Sequence, residues 1–582
     1  MMSNTLIKQS MSKVIKNNMK LSALLLVAIC GVVVTTLIPP QILKYIVDNN
    51  LVPKNNDKLL VLAISYIVII LFIGIFDFVK EAILTIMGQK ITKEIKIEMM
   101  EKLEKVNAMF FSSNSSGAVV SRFTNDVDAI SSLFTNGIVG MMVDGFKLIG
   151  IVISIWMFSS RIGFVTILLL PAIYGITRFF QKRMLKAQLE NRILIGKVNN
   201  HISESIKNIQ MIKSYSKEKY MEENYKTHLL DNYKTVDKVN FYDSVYSPLI
   251  QLIRAVVIAF IVVLSSSQLN LLGISLGMVA ATIELISNLF APIENLGMEL
   301  QNIQQAISGI KRVNDFYSEP EDEIKKDELK SEDIIQNRGD VRLSFNHISF
   351  QYEEGTNILQ DINLRLKPNE KVTFVGRTGV GKTTLFKLIM GLLRPTKGSI
   401  TINGIDVYEI SNSEKRKLFG YVDQNFHVIK GTVADQISLK DESISREQIE
   451  KALDFVGLKE YVESLEKGVD TKVVNDTLFS QGQKQLLAIA RAIVTNPPIL
   501  LLDEITANLD SITEERIVSV LGKASEAHTI LSISHRLSSM IVSDTVVILE
   551  HGRVKNAGSP EVLLESDDWY RSHIALEKLT WS

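Results

Sequence analysis

Two uncharged stretches near the amino terminus set the strongest limit on what this chain can become. Leu21–Leu43 and Leu59–Phe76 contain no Asp, Glu, Lys or Arg. At about 1.5 Å per residue in a helix, each is long enough to cross a hydrocarbon core of roughly 30 Å. Lys8, Lys13, Lys16 and Lys20 precede the first run, as they would in a signal peptide. No small-x-small cleavage site follows, Pro39-Pro40 lie near its end, and Ile29 stands before Cys30 where a lipoprotein signal needs a small residue. The run is therefore expected to be retained as a first span.

Further spans are less clean. Leu148–Ser160 and Ile162–Thr177 are separated only by Arg161 and read as a hairpin. Ala255–Ile283 is uncharged but interrupted by "SSSQLN", which fits two spans joined by a tight outer turn. The count is six. Lysines at the amino terminus and the Lys/Arg-rich segment from Gln181 to Asn240 fall on one side, while the opposite loops "NLVPKNNDK" and "SSR" are cation-poor, so the basic side is expected in the cytoplasm. Met87–Thr135 and Gln181–Asn240 lack proline and are predicted to continue the spans as long internal helices. Arg254 and Glu284, at similar predicted depth, are expected to pair or to line a central cavity, because an unpaired charge there costs about 3 kcal/mol.

Composition changes sharply along the chain. Of 582 residues 46% are apolar and 22% charged, but the apolar ones concentrate before about residue 300. A formal net charge of zero predicts no nucleic-acid partner. A single cysteine excludes a disulfide framework, and the eight histidines show no ligand spacing. The charge-rich stretch 318–340, "SEPEDEIKKDELKSEDIIQNRGD", reads as a linker. Beyond it, Val341, Leu343 and Phe345 alternate with polar residues, then Ile348, Phe350 and Tyr352 do the same, marking the first strands of a soluble domain. The expected division is a membrane domain 1–317, a linker 318–340 and a soluble domain 341–582.

"KVTFVGRTGVGKTT" is a buried-strand pattern running into Gly376, Arg377, Thr378, Gly379, Val380, Gly381, Lys382, Thr383 and Thr384, the spacing of a phosphate-binding loop. Its glycines let successive N–H groups face a phosphate, Lys382 can reach the terminal phosphates, and the Thr383 hydroxyl can bind Mg²⁺. "PPILLLDE" supplies a buried strand ending in Asp503 and Glu504. Asp503 is the expected second Mg²⁺ residue, and Glu504 the base or water-orienting group beside the γ-phosphate of ATP.

Between these motifs "LFSQGQKQLLAIARA" resembles the signature of ATP-binding-cassette (ABC) transporters, usually Leu-Ser-Gly-Gly-Gln, here Phe479, Ser480, Gln481, Gly482 and Gln483. Phe479 and Gln481 depart from the commonest form. The resemblance extends through the chain. "FFSSNSSGAVVSRFTNDVDAI", "SESIKNIQMIKSYSKE" and "GMVAATIELISNLFAPIENL" are similar to segments of exporters of this family. It implies a six-helix all-α transmembrane domain followed by an α/β P-loop NTPase domain in one multi-domain membrane protein. It also implies that Tyr352 stacks on adenine, that Gln424 senses Mg²⁺ and the membrane domain, that Asp510 lies in the loop crossing a dimer interface, and that His535 contacts the γ-phosphate. Asp423 stands where the family usually has proline, and Asp476 where it usually has glutamate. The implied activity is ATP-driven export of a hydrophobic or amphipathic substrate (drug, lipid or peptide) by a dimer with an identical or homologous second half-transporter. The implied setting is the lipid of a bacterial inner membrane, with the ATPase in the cytoplasm. Import of a metal chelate by the exporter fold, or a nucleotide-gated channel, are the alternatives; intact Glu504 and His535 speak against a pure gate.

Overall fold

The computed structural model describes residues 4–54, 58–267, 275–322, 329–335, 341–352, 355–473, 478–505, 509–534, 540 and 542–581. The chain forms two units. One comprises Met1–Glu104 and Asn114–Pro320, the other Lys105–Ser113 and Glu321–Ser582.

Among the described residues of the first unit, six helices are long and apolar enough to cross a membrane: Met19–Leu51, Leu59–Lys105, Ser116–Phe158, Ser160–Lys207, Glu218–Phe260 and Leu276–Leu296. The most apolar stretch of the second buries none of its residues in the protein. Leu60, Ile64, Ile67 and Leu71 point outward, an arrangement stable only against lipid. That helix has 47 residues and the fourth 48, about 70 Å each, so more than half of each extends beyond a hydrocarbon core. The connection between the third and fourth spans lies at Ser159, in extended conformation, rather than at Arg161. Arg161 joins the first turn of the fourth helix, where its N–H needs no intrahelical partner. The predicted internal segments are also broken, at Val106–Asn107, at Asn114 and between Ser214 and Glu218, which sets the short helices Ala108–Ser113 and Ile209–Ser214 apart.

The core of this unit is aliphatic, built from Ile151 and Ile155 of the third span, Ile173 of the fourth, Ile250 and Val257 of the fifth, and Leu285, Leu289 and Phe290 of the sixth. Two turns of the third span, Arg122–Asp126 and Leu133–Val139, widen to π-helix. The first of these turns buries Asp126, whose carboxylate accepts from Arg312 Nε at 2.8 Å. Gly309, one turn before Arg312, lies against the Asp126 backbone and leaves no room for a larger residue without displacement.

The expected Arg254–Glu284 pair does not form. Glu284 accepts from the Tyr66 hydroxyl of the second span at 3.4 Å, and Arg254 stands within electrostatic reach of Glu294 instead. Glu294 lies ten residues further along the sixth helix, about 15 Å, so the two helices are staggered relative to an equal-depth hairpin. The tight outer turn itself, 268–274, lies outside the described residues.

In the second unit, strands β1 (Leu343–Gln351), β2 (Asn357–Leu366), β3 (Lys371–Val375), β4 (Lys397–Ile402), β5 (Ile405–Asp406), β6 (Phe419–Val422), β7 (Gly431–Thr432), β8 (Lys472–Val473), β9 (Ile499–Asp503), β10 (Thr529–Ile533), β11 (Thr545–Glu550) and β12 (Arg553–Gly558) form three sheets. An antiparallel sheet runs β2-β1-β4-β5, a six-stranded one β12-β11-β3-β10-β9-β6, and β7 pairs with β8. All neighbours in the six-stranded sheet are parallel except β12 with β11. The phase change in the β1 alternation, from Phe345 to Ile348, is a bulge at which His347 takes a φ of 52°. Part of the predicted linker is packed: Ser331 N–H donates to Glu414 at 2.7 Å, and the Ile334 carbonyl accepts from Asn403 at 3.0 Å. Asp322 N–H donates to the Lys105 carbonyl at 2.7 Å, and Val106 bridges Glu321.

The start of the sixth span is held by a residue from the end of the first. Asp48 accepts from the Ser275 hydroxyl at 2.6 Å and the Gly277 N–H at 2.8 Å, satisfying donors that the helix itself leaves free. Replacing Asp48 with Ala is expected to cost about 0.5–2 kcal/mol. The check is a lower thermal midpoint in detergent, with Asp48→Asn closer to the parent.

Candidate functional site

β9, β10 and β3 run parallel and in register: Asp503 is opposite Ile533, and Ile533 is opposite Phe374. Their carboxyl ends therefore lie side by side. β9 is wholly buried, and every residue of β3 after Lys371 is buried. The chain must leave at those ends through loops, and there the polar residues collect.

After β3 the loop turns on Gly376 (φ 148°) and closes on Gly381 (φ 103°). A side chain at Gly376 would collide with the Leu549 carbonyl, and one at Gly381 with Leu359 and Ile358. Only glycine meets both the dihedral and the space requirement. Gly381 caps the helix Lys382–Ile389, whose first N–H groups point back into the loop. Lys382 Nζ donates to the carbonyls of Gly376 (2.7 Å) and Arg377 (3.2 Å). Burial pulls its ammonium below the usual lysine range, against the opposing pull of Glu504 and Asp503. Arg377, Thr378 and Gly379 are exposed, and Val380 and the buried Thr384 complete the cradle. The Tyr352 hydroxyl lies 3.3 Å from Thr384 Oγ1, which sets the tyrosine ring beside the loop's helix.

Asp503 is 5% exposed and lies close enough to the Thr383 hydroxyl for it to favour the ionised carboxylate. Burial pushes its carboxyl up; Thr383 holds it back, and Glu504 and Asp423 push it further. Glu504 follows with a φ of 46° and its N–H bonded to the Ile533 carbonyl at 3.0 Å. A left-handed glutamate costs about 1 kcal/mol or more and is held here by the sheet around it. Gln424 Nε2 donates to Glu504 Oε2 at 3.0 Å. Gln424, Asp503, Glu504, Thr383 and the phosphate loop thus form one cluster.

Ser480, Gln481, Gly482 and Gln483 form the head of the helix Gln481–Ile493. Ser480 Oγ accepts from the Gln483 N–H at 3.2 Å, and Gln483 Oε1 accepts from the Ser480 N–H at 2.9 Å, a reciprocal cap. The serine hydroxyl keeps its own proton to donate. Gly482 is buried, and a Cβ there would strike Thr513. Asp510 fixes Thr513 in turn, accepting from its N–H (3.0 Å) and its hydroxyl (2.8 Å), which hold the exposed Asp510 carboxyl below its usual range. Among the described residues no hydrogen bond joins this second group directly to the phosphate loop. His535 and Asp476 lie outside the described residues; His535 follows β10 by two positions.

Three residues that the motifs do not single out tie the groups together. Gln485, 1% exposed on the signature helix, donates to the Gln424 carbonyl at 2.8 Å. Arg491 donates to the Gln436 carbonyl at 2.7 Å and the His427 carbonyl at 3.3 Å, and lies 4.5 Å over the Phe426 ring. The Tyr421 hydroxyl donates to Asp423 at 3.4 Å and lies within electrostatic reach of Asp503. These contacts brace the segment after Gln424, although Asp423 lacks proline's rigidity. A glutamine just over one turn into a predicted helix, among apolar neighbours, is the one sequence signal that could have raised Gln485.

Residues 22–293 match the ABC transporter transmembrane region family, and residues 359–507 match the ABC transporter family. The chain is 30% identical over 544 residues to the ATP-dependent lipid A-core flippase of Hahella chejuensis, covering 93% of this chain and 91% of that one. It is 30% identical over 507 residues to the lactococcin-A transport/processing ATP-binding protein LcnC of Lactococcus lactis, covering 85% and 68%. The structure of a bacterial Atm1-family ABC exporter with ATP bound shares the fold, with a TM-score of 0.76 at 23% identity over 96% of this chain and 99% of that one.

Replacing Gln485 with Leu keeps the apolar packing and leaves the Gln424 carbonyl without its donor. The expected cost is about 1–3 kcal/mol, with faster amide exchange across residues 423–430 in hydrogen–deuterium mass spectrometry.

Proposed function

The chain belongs to the ABC transporter family, and from that premise we propose that it is an ATP-hydrolysing half-exporter working as a dimer. It is a multi-pass membrane protein with an ATP-binding cassette. What carries the hydrolytic reading is the Thr383–Asp503 and Gln424–Glu504 contacts gathered beside the phosphate loop.

ATP phosphates would be held by the N–H groups of Gly376–Thr384 and by Lys382, with adenine on Tyr352. Glu504 and Asp423 stand within electrostatic reach of Asp503, and this negative charge favours a dication beside it. Thr383, Asp503 and Gln424 would hold Mg²⁺, which supplies charge neutralisation of the β- and γ-phosphate oxygens. Among the described residues no three acidic, histidine or cysteine side chains form a cage for a metal by themselves. That fits an ion completed by nucleotide oxygens and water. Glu504, oriented by Gln424, would receive or orient the proton of the attacking water, and His535 would contact the γ-phosphate.

Ser480 and Gly482 open a helix with no direct hydrogen bond to their own phosphate loop, which supports a second cassette supplying the facing signature. Asp510 then lies beside that contact through Thr513. ATP binds the closed pair better than the open one, and the difference drives the change. The second unit includes Lys105–Ser113, contributed from between the second and third spans, so cassette movement passes to the spans through continuous backbone. The basic side is the cytoplasmic one, in a bacterial inner membrane. A hydrophobic or amphipathic substrate (drug, lipid or peptide) is the transported range, supported by relatives named as a lipid A-core flippase and a lactococcin-A transport protein.

Glu504→Gln is expected to lower ATP turnover by about 100-fold or more while ATP binding persists. An equal rate removes Glu504 from its role. ATP-driven uptake into inside-out vesicles decides between export and the importer or channel readings, and native mass measurement decides the dimer. Mg²⁺ binding requires ionised Asp503, whose pKa is raised by burial. Mg²⁺-dependent stabilisation by ATP should therefore weaken, as pH falls, at a pH above the ordinary aspartate value of about 4. Thermal melts across pH test this, and Asp503→Asn should flatten the profile.

A further inference from the structure

A second polar site lies within the first unit, apart from the nucleotide chemistry. A cavity of about 400 Å³ opens between the second, third and sixth helices. Its charged lining is four carboxylates, Asp77, Glu81, Asp144 and Glu299, against two ammonium groups, Lys80 and Lys147. Lys80 is already spent: it is paired with Asp77 at 2.8 Å and with Glu81 at 3.1 Å. The remaining acids are the deep ones, Asp144 and Glu299, each 7% exposed and within electrostatic reach of the other.

Neither of these two makes an ion pair among the described residues, with Lys147 included. One carboxylate oxygen of Glu299 is fully enclosed and has no hydrogen-bond donor among the described residues. The other occupies the space left by the missing side chain of Gly140, itself part of the cavity wall. The π-helical turn Leu133–Val139 brings Thr135, Asn136 and Val139 to the same wall. Two enclosed like charges facing one space are unfavourable, and the repulsion is relieved when one carboxyl takes up a proton or when an opposite charge enters between them. Among the described residues no three acidic, histidine or cysteine side chains cluster here as a metal site, and the apolar residues in the same wall favour an organic cation.

We infer that Glu299 and Asp144 form the binding site for the positively charged head of an organic cation, the amine or quaternary ammonium end of an amphipathic substrate. The inference rests on the export reading only for the word substrate; binding itself does not depend on it. Apolar walls contributed by Leu84, Val139 and Val143 suit the part of the ligand next to the charge.

The test uses the full chain in lipid nanodiscs and ethidium as the probe, followed by fluorescence anisotropy corrected for empty discs. Ethidium should bind saturably and be displaced by dodecyltrimethylammonium. Dodecyl sulfate and dodecyl maltoside, with the same tail, should displace it at least tenfold less well. Glu299→Gln and Asp144→Asn should each weaken ethidium at least tenfold, with thermal midpoints recorded to establish folding. The wild-type competition stands even if a variant fails to fold. Absence of wild-type binding, displacement by all three amphiphiles alike, or unchanged affinity in both folded variants would overturn the site. Ethidium binding without ATP-driven uptake into inside-out vesicles sinks the pump and spares the site. Uptake of an uncharged substrate without cation binding does the reverse.

Discussion

The alignment of three parallel strands decides most of what this protein can do with a nucleotide. β9, β10 and β3 end level with one another, so the loop after Val375, the carboxylates Asp503 and Glu504, and the segment after Ile533 leave the sheet at one edge. Parallel strands are buried on both faces, and charged chemistry collects at their polar exits, where loop N–H groups and neighbouring polar side chains offset part of the desolvation. The left-handed Glu504 shows the sheet imposing its demand: the N–H bond to Ile533 holds a backbone that glutamate would not choose alone.

A different constraint shapes the first unit. Hydrocarbon offers no hydrogen-bond partners, so every backbone group must be satisfied inside its own helix. The exceptions are managed locally. Asp48 takes up donors at the start of the sixth span, and Arg312 holds Asp126 where the third helix widens. Among the described residues, charges without ion-pair partners stand out because burial makes them expensive, and Glu299 beside Asp144 is one such case.

The glycine turn and helix start at 376–384 were legible because the residues are consecutive and the glycines meet a local demand, so spacing alone carries the information. The terminal acids of "PPILLLDE" were legible for the same reason. Gln485, Arg491 and Tyr421 were not: the first two hydrogen-bond residues 61 and 55 to 64 positions away, the third acts electrostatically on an acid 82 positions away, and no periodicity encodes a partner. The pairing of Arg254 with Glu284 failed on helix stagger. A hairpin model assigns equal depth to residues equally far from the turn, whereas packing against Tyr66 and Glu294 sets the actual offset.

By itself the sequence determined the existence and kind of each unit: apolar runs long enough for a bilayer, then alternating strands and a phosphate loop with its acids. These are properties of neighbours in the chain, governed by helix rise, strand alternation and backbone sterics. Only the tertiary structure decided which side chains meet. It gathered Gln424 onto Glu504 and Thr383 onto Asp503, seated Gly482 against Thr513, and left two buried carboxylates facing one cavity. The physical reason is that hydrogen bonds and charges act over a few ångströms in space, and distance along the chain does not measure that separation.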